Sequence, residues 1–238
     1  GKSEKSGIKK KQEKSEKNRK IRKNPEYQKI IIMWIIKLGG SWLSNPKLKT
    51  LLNFFSSIRN TSFLMVVGGG LYADAVRQSQ KYLKFNDQFA NLQALKAIEN
   101  YAEAIKNIFP NLTLVESYKD IKFKKGLKIW MPLKKLKNEK SYEKNWDSTS
   151  DSIACWLSKK ISYKGIIFIK SVSFKKQNNL ALRKLQKEGI LDKNILKYIS
   201  NDTHLKIVGP EIIDLFNKNK DWSKIVEKIK NINYEKTK

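Results

Sequence analysis

From residue 30 onward, short and nearly unbroken apolar runs alternate with longer stretches in which apolar side chains recur every three or four positions. The runs fall at 30–37, 62–67, 112–115, 127–131, 166–169 and 205–208. They lack alternating polarity, which predicts strands buried on both faces, as in a parallel sheet. Between them lie helical patterns. Residues 46–58 set Leu48, Leu51, Leu52, Phe55 and Ile58 at helical spacing, and 71–83 predicts a second helix. Residues 89–109 carry Leu92, Leu95, Ile98, Ala102 and Ile105 along one stripe, and Pro110 ends it. A helix follows at 149–161, helical turns at 180–185 and 193–199, and two amphipathic helices within 211–232. Strands interleaved with helices predict an α/β fold, a three-layer sandwich around a mainly parallel central sheet. Residues 30–238 show no repeat and no linker and read as one domain.

Residues 1–29 break the pattern. They are Lys, Glu and Ser with almost no apolar groups beyond Ile8 and Ile21, so burial cannot offset their ordering entropy, and a disordered basic tail is predicted. The whole chain of 238 residues carries a formal charge of +28. A nucleic-acid partner is the first thing such a charge suggests. The excess is Lys rather than Arg, however, and Lys, Ile and Asn are abundant together, as an A+T-rich coding sequence produces without selection for binding. A basic surface that draws small anionic ligands is the expectation instead. The longest apolar run is far below the roughly 20 residues of a membrane span, and the polar N-terminus has no signal-peptide core. Cys155 is the only cysteine, which rules out an internal disulfide and suits a reducing cytoplasm. With His204 the only histidine, no zinc site can be assembled.

Candidate chemistry lies where open parallel sheets bind ligands, beyond the carboxyl ends of the strands. Lys37-Leu38-Gly39-Gly40-Ser41 follows the first strand, and Gly68-Gly69-Gly70 follows the second and opens a helix. Glycines there let backbone N–H groups approach phosphate oxygens, and a helix N-terminus adds partial positive charge. Lys37 is placed to reach across both loops. Neither loop is a P-loop, and Gly68-x-Gly70-x-x-Ala73 lacks the acidic residue at a following strand end that dinucleotide binding requires. A third cluster, Asp147-Ser148-Thr149-Ser150-Asp151, opens the helix at 149. Capping accounts for Asp147, and Asp151, one helical turn on, is available to hold Lys37 in position.

In order and spacing these segments resemble the amino acid kinase superfamily. Ile36-Lys37-Leu38-Gly39-Gly40-Ser41 matches its lysine-glycine motif, Val67-Gly68-Gly69-Gly70-x-x-Ala73-Asp74 its second glycine loop, and Asp147-x-x-Ser150-Asp151-x-x-Ala154 its aspartate motif. Lys170-Ser171-Val172 stands where many members have Thr-Asp-Val in the strand that contacts the nucleotide. Within the superfamily, Ala73-Asp74-Ala75-Val76-Arg77, Trp130-Met131-Pro132, Trp146-Asp147-x-Thr149-Ser150-Asp151-Ser152 and Ile169-Lys170-Ser171 are similar to the aminomethylfuran phosphate kinases of methanofuran-type carrier biosynthesis.

The resemblance implies an amino acid kinase-like fold, ATP with Mg²⁺ held mainly by its phosphates, and an acidic small-molecule acceptor, most closely a furanylmethyl phosphate. Its implied roles are catalytic for Lys37, Asp151 and Asp147, nucleotide-binding for Gly39, Gly40, Ser41, Lys170 and Ser171, and acceptor-binding for Gly69, Gly70 and Arg77. Past residue 172 the likeness weakens to Gly189-Ile190-Leu191-Asp192, and the second catalytic cation is left to Lys193 or Lys197. A homo-oligomer packed through the helix at 89–109 is expected, with no membrane or specific nucleic-acid partner. Two alternatives stay open: a kinase of another acceptor (a nucleoside monophosphate, an acylated amino acid, an isopentenyl-type phosphate), and a nucleotide-binding protein without catalysis.

Overall fold

A computed structural model of the chain describes residues 33–123, 126–177 and 180–235. The basic segment 1–29, and the start of the first strand at 30–32, lie outside them. Strands β1 (Met33–Leu38), β2 (Ser62–Val67), β3 (Thr113–Val115), β4 (Leu127–Trp130), β5 (Ile166–Ile169), β6 (Leu205–Val208) and β7 (Lys230–Asn231) form one sheet in the order β3-β4-β2-β1-β5-β6-β7. All pairings are parallel except β6 with β7. Every residue of β2, β4 and β5 is buried, and apart from Ser62 and Lys128 their sequences are apolar runs rather than alternating ones.

Helices are α1 (Leu48–Ser57), α2 (Gly70–Leu83), α3 (Asp87–Ile108), α4 (Tyr118–Phe123), α5 (Leu133–Leu136), α6 (Ser150–Ser158), α7 (Leu182–Lys187), α8 (Ile195–Tyr198), α9 (Ile212–Lys218) and α10 (Trp222–Lys228), with a 3-10 turn at Gly40–Ser44. Side chains alternate across a strand, so residues of opposite parity serve opposite faces. In β1, Trp34 is in register with Phe63, and both rings pack on Trp222, which also meets Phe55 and Phe216. That aromatic cluster holds α1, α9 and α10 to one face. Lys37 faces the other side, where its ammonium meets Asp151 of α6. Layers of helix, sheet and helix result, with β1 at the centre and the switch in strand order beside it.

Four features differ from the sequence reading. Residues α4 and α5 form helices of six and four residues, too short for a periodic signal. Residues 230–231 form the antiparallel edge strand instead of extending the last helix. The long helix begins two residues earlier than its apolar stripe, because the Asn86 side chain accepts the Phe89 N–H at 2.8 Å and caps it. Its stripe, including Leu95, Ile98, Ala102 and Ile105, is buried within this chain.

Candidate active site

Lys37 is the penultimate residue of β1, between β2 and β5. Only 4% of it is exposed, so its charge needs a partner. Asp151, in the first turn of α6 and equally buried, supplies one: Lys37 Nζ lies 2.8 Å from Asp151 Oδ1. Lys170, immediately after β5, brings a second ammonium to the same carboxylate, 2.9 Å from Oδ1 and 2.8 Å from Oδ2. Its backbone is fixed as well. The Lys170 N–H donates to the Val208 carbonyl, and its carbonyl accepts from Trp42 Nε1 at 3.2 Å.

Burial alone would raise the Asp151 carboxyl, but the ammoniums of Lys170 and Lys37 outweigh it and hold the group below the usual carboxylate range. For Lys170, burial is the larger influence; opposed by Asp151 and reinforced by Lys37, it brings the ammonium down to about 8.

The two glycine loops lie back to back. A Cβ on Gly40 would fall 2.5 Å from Gly70 N, and one on Gly68 would fall 2.5 Å from Gly40 N. No side chain fits either position. Gly70 has φ +52, a left-handed conformation suited to glycine, and it starts α2. Gly39 N–H donates to the Ile169 carbonyl and Gly68 N–H to the Leu38 carbonyl, so both continue the strand ladder. The α2 ladder resumes at Ala73 N–H to Gly69 O, so the amides before it in the first turn have no intrahelical partner and are suited to an anion.

These elements wall a cavity of about 400 Å³. Lys37, Gly40, Ser41, Gly69, Gly70 and Arg77 all line it, joined by Asn91, Leu95 and Ile98 of α3 and by Trp146 and Ser148–Ser150 before and at the start of α6. Arg77 is held at its edge by Asp74 at 3.0 Å and lies 4.4 Å from the centre of the Trp146 ring. Gln80 fixes Trp146 in turn, accepting from its Nε1 at 2.7 Å. Gly39, Lys170 and Ser171 lie outside the cavity at the ends of β1 and β5.

Asp147 pairs with exposed Lys193 at 3.1 Å, whereas Lys37 is held by Asp151, because Asp147 precedes the helix and is half exposed. Lys193 pairs with Asp147 and Lys197 with Glu143, while the second ammonium on Asp151 is Lys170. The Gly39 N–H is engaged by the Ile169 carbonyl at 2.9 Å.

Asp192 is not among the site residues to which the sequence points. It caps α6 from a distant loop: Oδ2 accepts from Thr149 N–H at 2.6 Å, Ser152 N–H at 3.0 Å and Ser152 Oγ at 2.9 Å, and Oδ1 accepts from Thr149 Oγ1 at 2.7 Å. Thr149, the N-cap residue, makes no side-chain cap bond to the helix itself. The surviving Gly189-Ile190-Leu191-Asp192 segment was the available signal. Burial, then the charge of Asp151, raises the Asp192 carboxyl, against the hydrogen bonds from Thr149 and Ser152.

Among the described residues no group of three or more His, Cys, Asp or Glu side chains is placed to hold a metal ion. No helix there is long and apolar enough to cross a membrane. His204 is exposed and Cys155 is buried.

No family model matches the sequence. Over 146 residues the chain is 31% identical to the [5-(aminomethyl)furan-3-yl]methyl phosphate kinase of Methanocaldococcus jannaschii, an alignment covering 59% of this chain and 66% of that protein, just short of two thirds. Among solved structures it is similar to the uridylate kinase of Archaeoglobus fulgidus, with a TM-score of 0.54 and 16% identity, over 77% of this chain and 95% of that one. The second likeness concerns the fold, which has the same mainly parallel sheet with helices on both faces. In architecture this chain has the amino acid kinase fold, and over the aligned 146 residues its sequence is similar to that phosphate kinase.

Proposed function

We propose that the chain is an ATP-dependent phosphotransferase that passes the γ-phosphoryl group to a small phosphate-bearing acceptor, with an aminomethylfuran phosphate as the first candidate. The observation that carries the reading is the pair of buried ammoniums, Lys37 and Lys170, gathered on Asp151 beside a cavity with glycine-loop walls. A structural ion pair needs one cation per carboxylate. Two ammoniums gathered on one carboxylate at the strand ends place a pair of cations side by side, which suits the terminal phosphates of a nucleotide.

In this reading the nucleotide lies over the ends of β1 and β5, against Gly40, Ser41, Lys170 and Ser171. The acceptor occupies the cavity, with its phosphate against the first turn of α2 and Arg77, and its carbon skeleton against Leu95 and Ile98. Lys37, between the two, neutralises the oxygens of the group in transit, while Asp151 keeps both ammoniums extended. A phosphate acceptor is already ionised at neutral pH, so no general base is needed. Asp151 and Asp192 have their oxygens filled, which leaves Asp147 as the carboxylate that would meet a nucleotide-bound Mg²⁺ through its hydration shell. When bound, Mg²⁺ supplies charge neutralisation between the phosphates.

The same proposal includes work in the cytoplasm and homo-oligomerisation. Among the exposed apolar side chains, Tyr82, Leu83 and Phe89 gather where α2 meets α3 and would serve a partner copy.

ADP release with purified protein, ATP and a panel of acceptors tests the reading. Turnover dependent on an aminomethylfuran phosphate is expected. Turnover with a nucleoside monophosphate in its place moves the acceptor, and no turnover with any acceptor overturns the proposal.

A further inference from the structure

We propose that Asp192 is a positioning residue for phosphoryl transfer, fixing the helix turn that presents Asp151 and supplying the second negative charge beside Lys37 and Lys170. The inference rests on the kinase reading and deepens it.

Geometry supports the first half. Every residue of α6 is buried, yet its N-terminus is not capped from within. Asp192 does this from a loop 43 positions away from Thr149, taking two N–H and two hydroxyl donors on one carboxylate. Two of those donors are amides that cannot accept, so Oδ2 is held as an acceptor at the helix N-terminus. Its own N–H then donates to Asp151 Oδ2 at 3.2 Å. One residue therefore holds both the turn and the carboxylate that turn carries.

Charge supports the second half. Lys37 of β1 and Lys170 after β5 meet Asp151 of α6, a cluster with one positive charge in excess. Asp192 brings a compensating negative charge, and its field raises the Lys170 ammonium against burial. Other titratable groups coupled to it are Cys155 of α6 and Tyr142 before α6, and the adjacent Lys193 is paired with Asp147. Burial pushes the Cys155 thiol and the Tyr142 phenol well up, so both stay neutral near Lys170. A helix cap without this electrostatic role would leave Lys170 titrating where it does now.

The test is a lysine NMR titration using ¹³C at Cε, with Lys170 assigned from Lys170→Arg, in wild type and Asp192→Asn, alongside kcat across pH. The Lys170 midpoint in Asp192→Asn is expected to fall by about one pH unit, and kcat to fall roughly 10- to 100-fold at constant nucleotide KM. A folded Asp192→Asn protein whose Lys170 titrates with the wild type overturns the inference. If that variant does not fold, Ser152→Ala, which removes one hydroxyl donor and no charge, is read in its place. A kcat roughly fivefold lower at constant nucleotide KM supports the positioning role, and an unchanged kcat overturns it. Wild-type protein that phosphorylates nothing refutes the kinase reading, while the Lys170 titration still decides the case for Asp192.

Discussion

Lys37 Nζ lies 2.8 Å from Asp151 Oδ1, and the two side chains are 5% and 4% exposed. An ion pair shielded to this degree is costly to desolvate, and replacing it with apolar groups is often neutral or stabilising. Its presence at the mouth of a glycine-walled cavity is therefore better explained by ligand chemistry than by stability. Lys37→Ala is expected to lower kcat by about 10²- to 10³-fold, measured as acceptor-dependent ADP release. Turnover within a factor of two of wild type would remove Lys37 from the reaction.

Asp151→Ala should act on folding as well. It leaves the ammoniums of Lys37 and Lys170 buried together without a counter-charge, and breaking a buried pair in this way costs about 3–5 kcal/mol. Urea denaturation reads the loss. A variant as stable as wild type would mean that the two lysines find other partners.

The pH dependence has opposite signs for activity and stability. Lys170 in the folded chain loses its proton near 8 rather than at the usual lysine value. Its ammonium is complete below that pH and is lost as pH rises through it, so kcat should decline through about 8. The unfolded chain keeps its Lys170 proton up to the ordinary value and thus binds more protons in that window. Stability from this group therefore rises with pH between about 8 and the ordinary lysine value. On the acid side Asp151, held below the usual range, contributes stability that is lost as pH falls through its folded value. Lys170→Arg keeps its charge at alkaline pH, and a pH–rate profile without the decline is the expected result.

The glycine loops give a steric prediction with an internal control. A methyl group on Gly40 would meet Gly70 N and Cα at 2.5 and 2.9 Å, backbone atoms that cannot swing away. Gly40→Ala should cost about 1–3 kcal/mol and abolish turnover. At Gly126, φ +86 with nothing within 4 Å, only the backbone conformation opposes a side chain. Gly126→Ala should cost about 1 kcal/mol and leave kcat unchanged. Equal thermal shifts in the two proteins would count against loop contact as the reason for Gly40.

Arg77, half exposed and resting on Trp146, separates the two substrates. Arg77→Ala is expected to raise the acceptor KM about tenfold with the nucleotide KM unmoved. A rise in nucleotide KM instead would place the acceptor elsewhere.

The runs at Ser62–Val67 and Ile166–Ile169 match their strands residue for residue, being fully buried and bounded by turn residues, and Leu205–Val208 does so with Lys206 only partly buried. The glycine loops and Lys37 were equally legible, because strand-end glycines have few reasons to occur in pairs. Local pattern also marked α3, whose stripe is long, but not α4, α5 or β7, which are shorter than any repeat that could reveal them.

What the chain order could not decide was which charges would meet. Lys170, Lys193 and Lys197 are alike as lysines near strand or helix ends, and Asp147, Asp151 and Asp192 are alike as carboxylates near a helix start. Parallel pairing of β1 with β5 carries Lys37 and Lys170 to one edge, and packing of α6 on that edge turns Asp151 inward and leaves Asp147 outside. Coulomb energy depends on separation and burial, and both are set by the crossover that closes the sheet, not by distance along the chain.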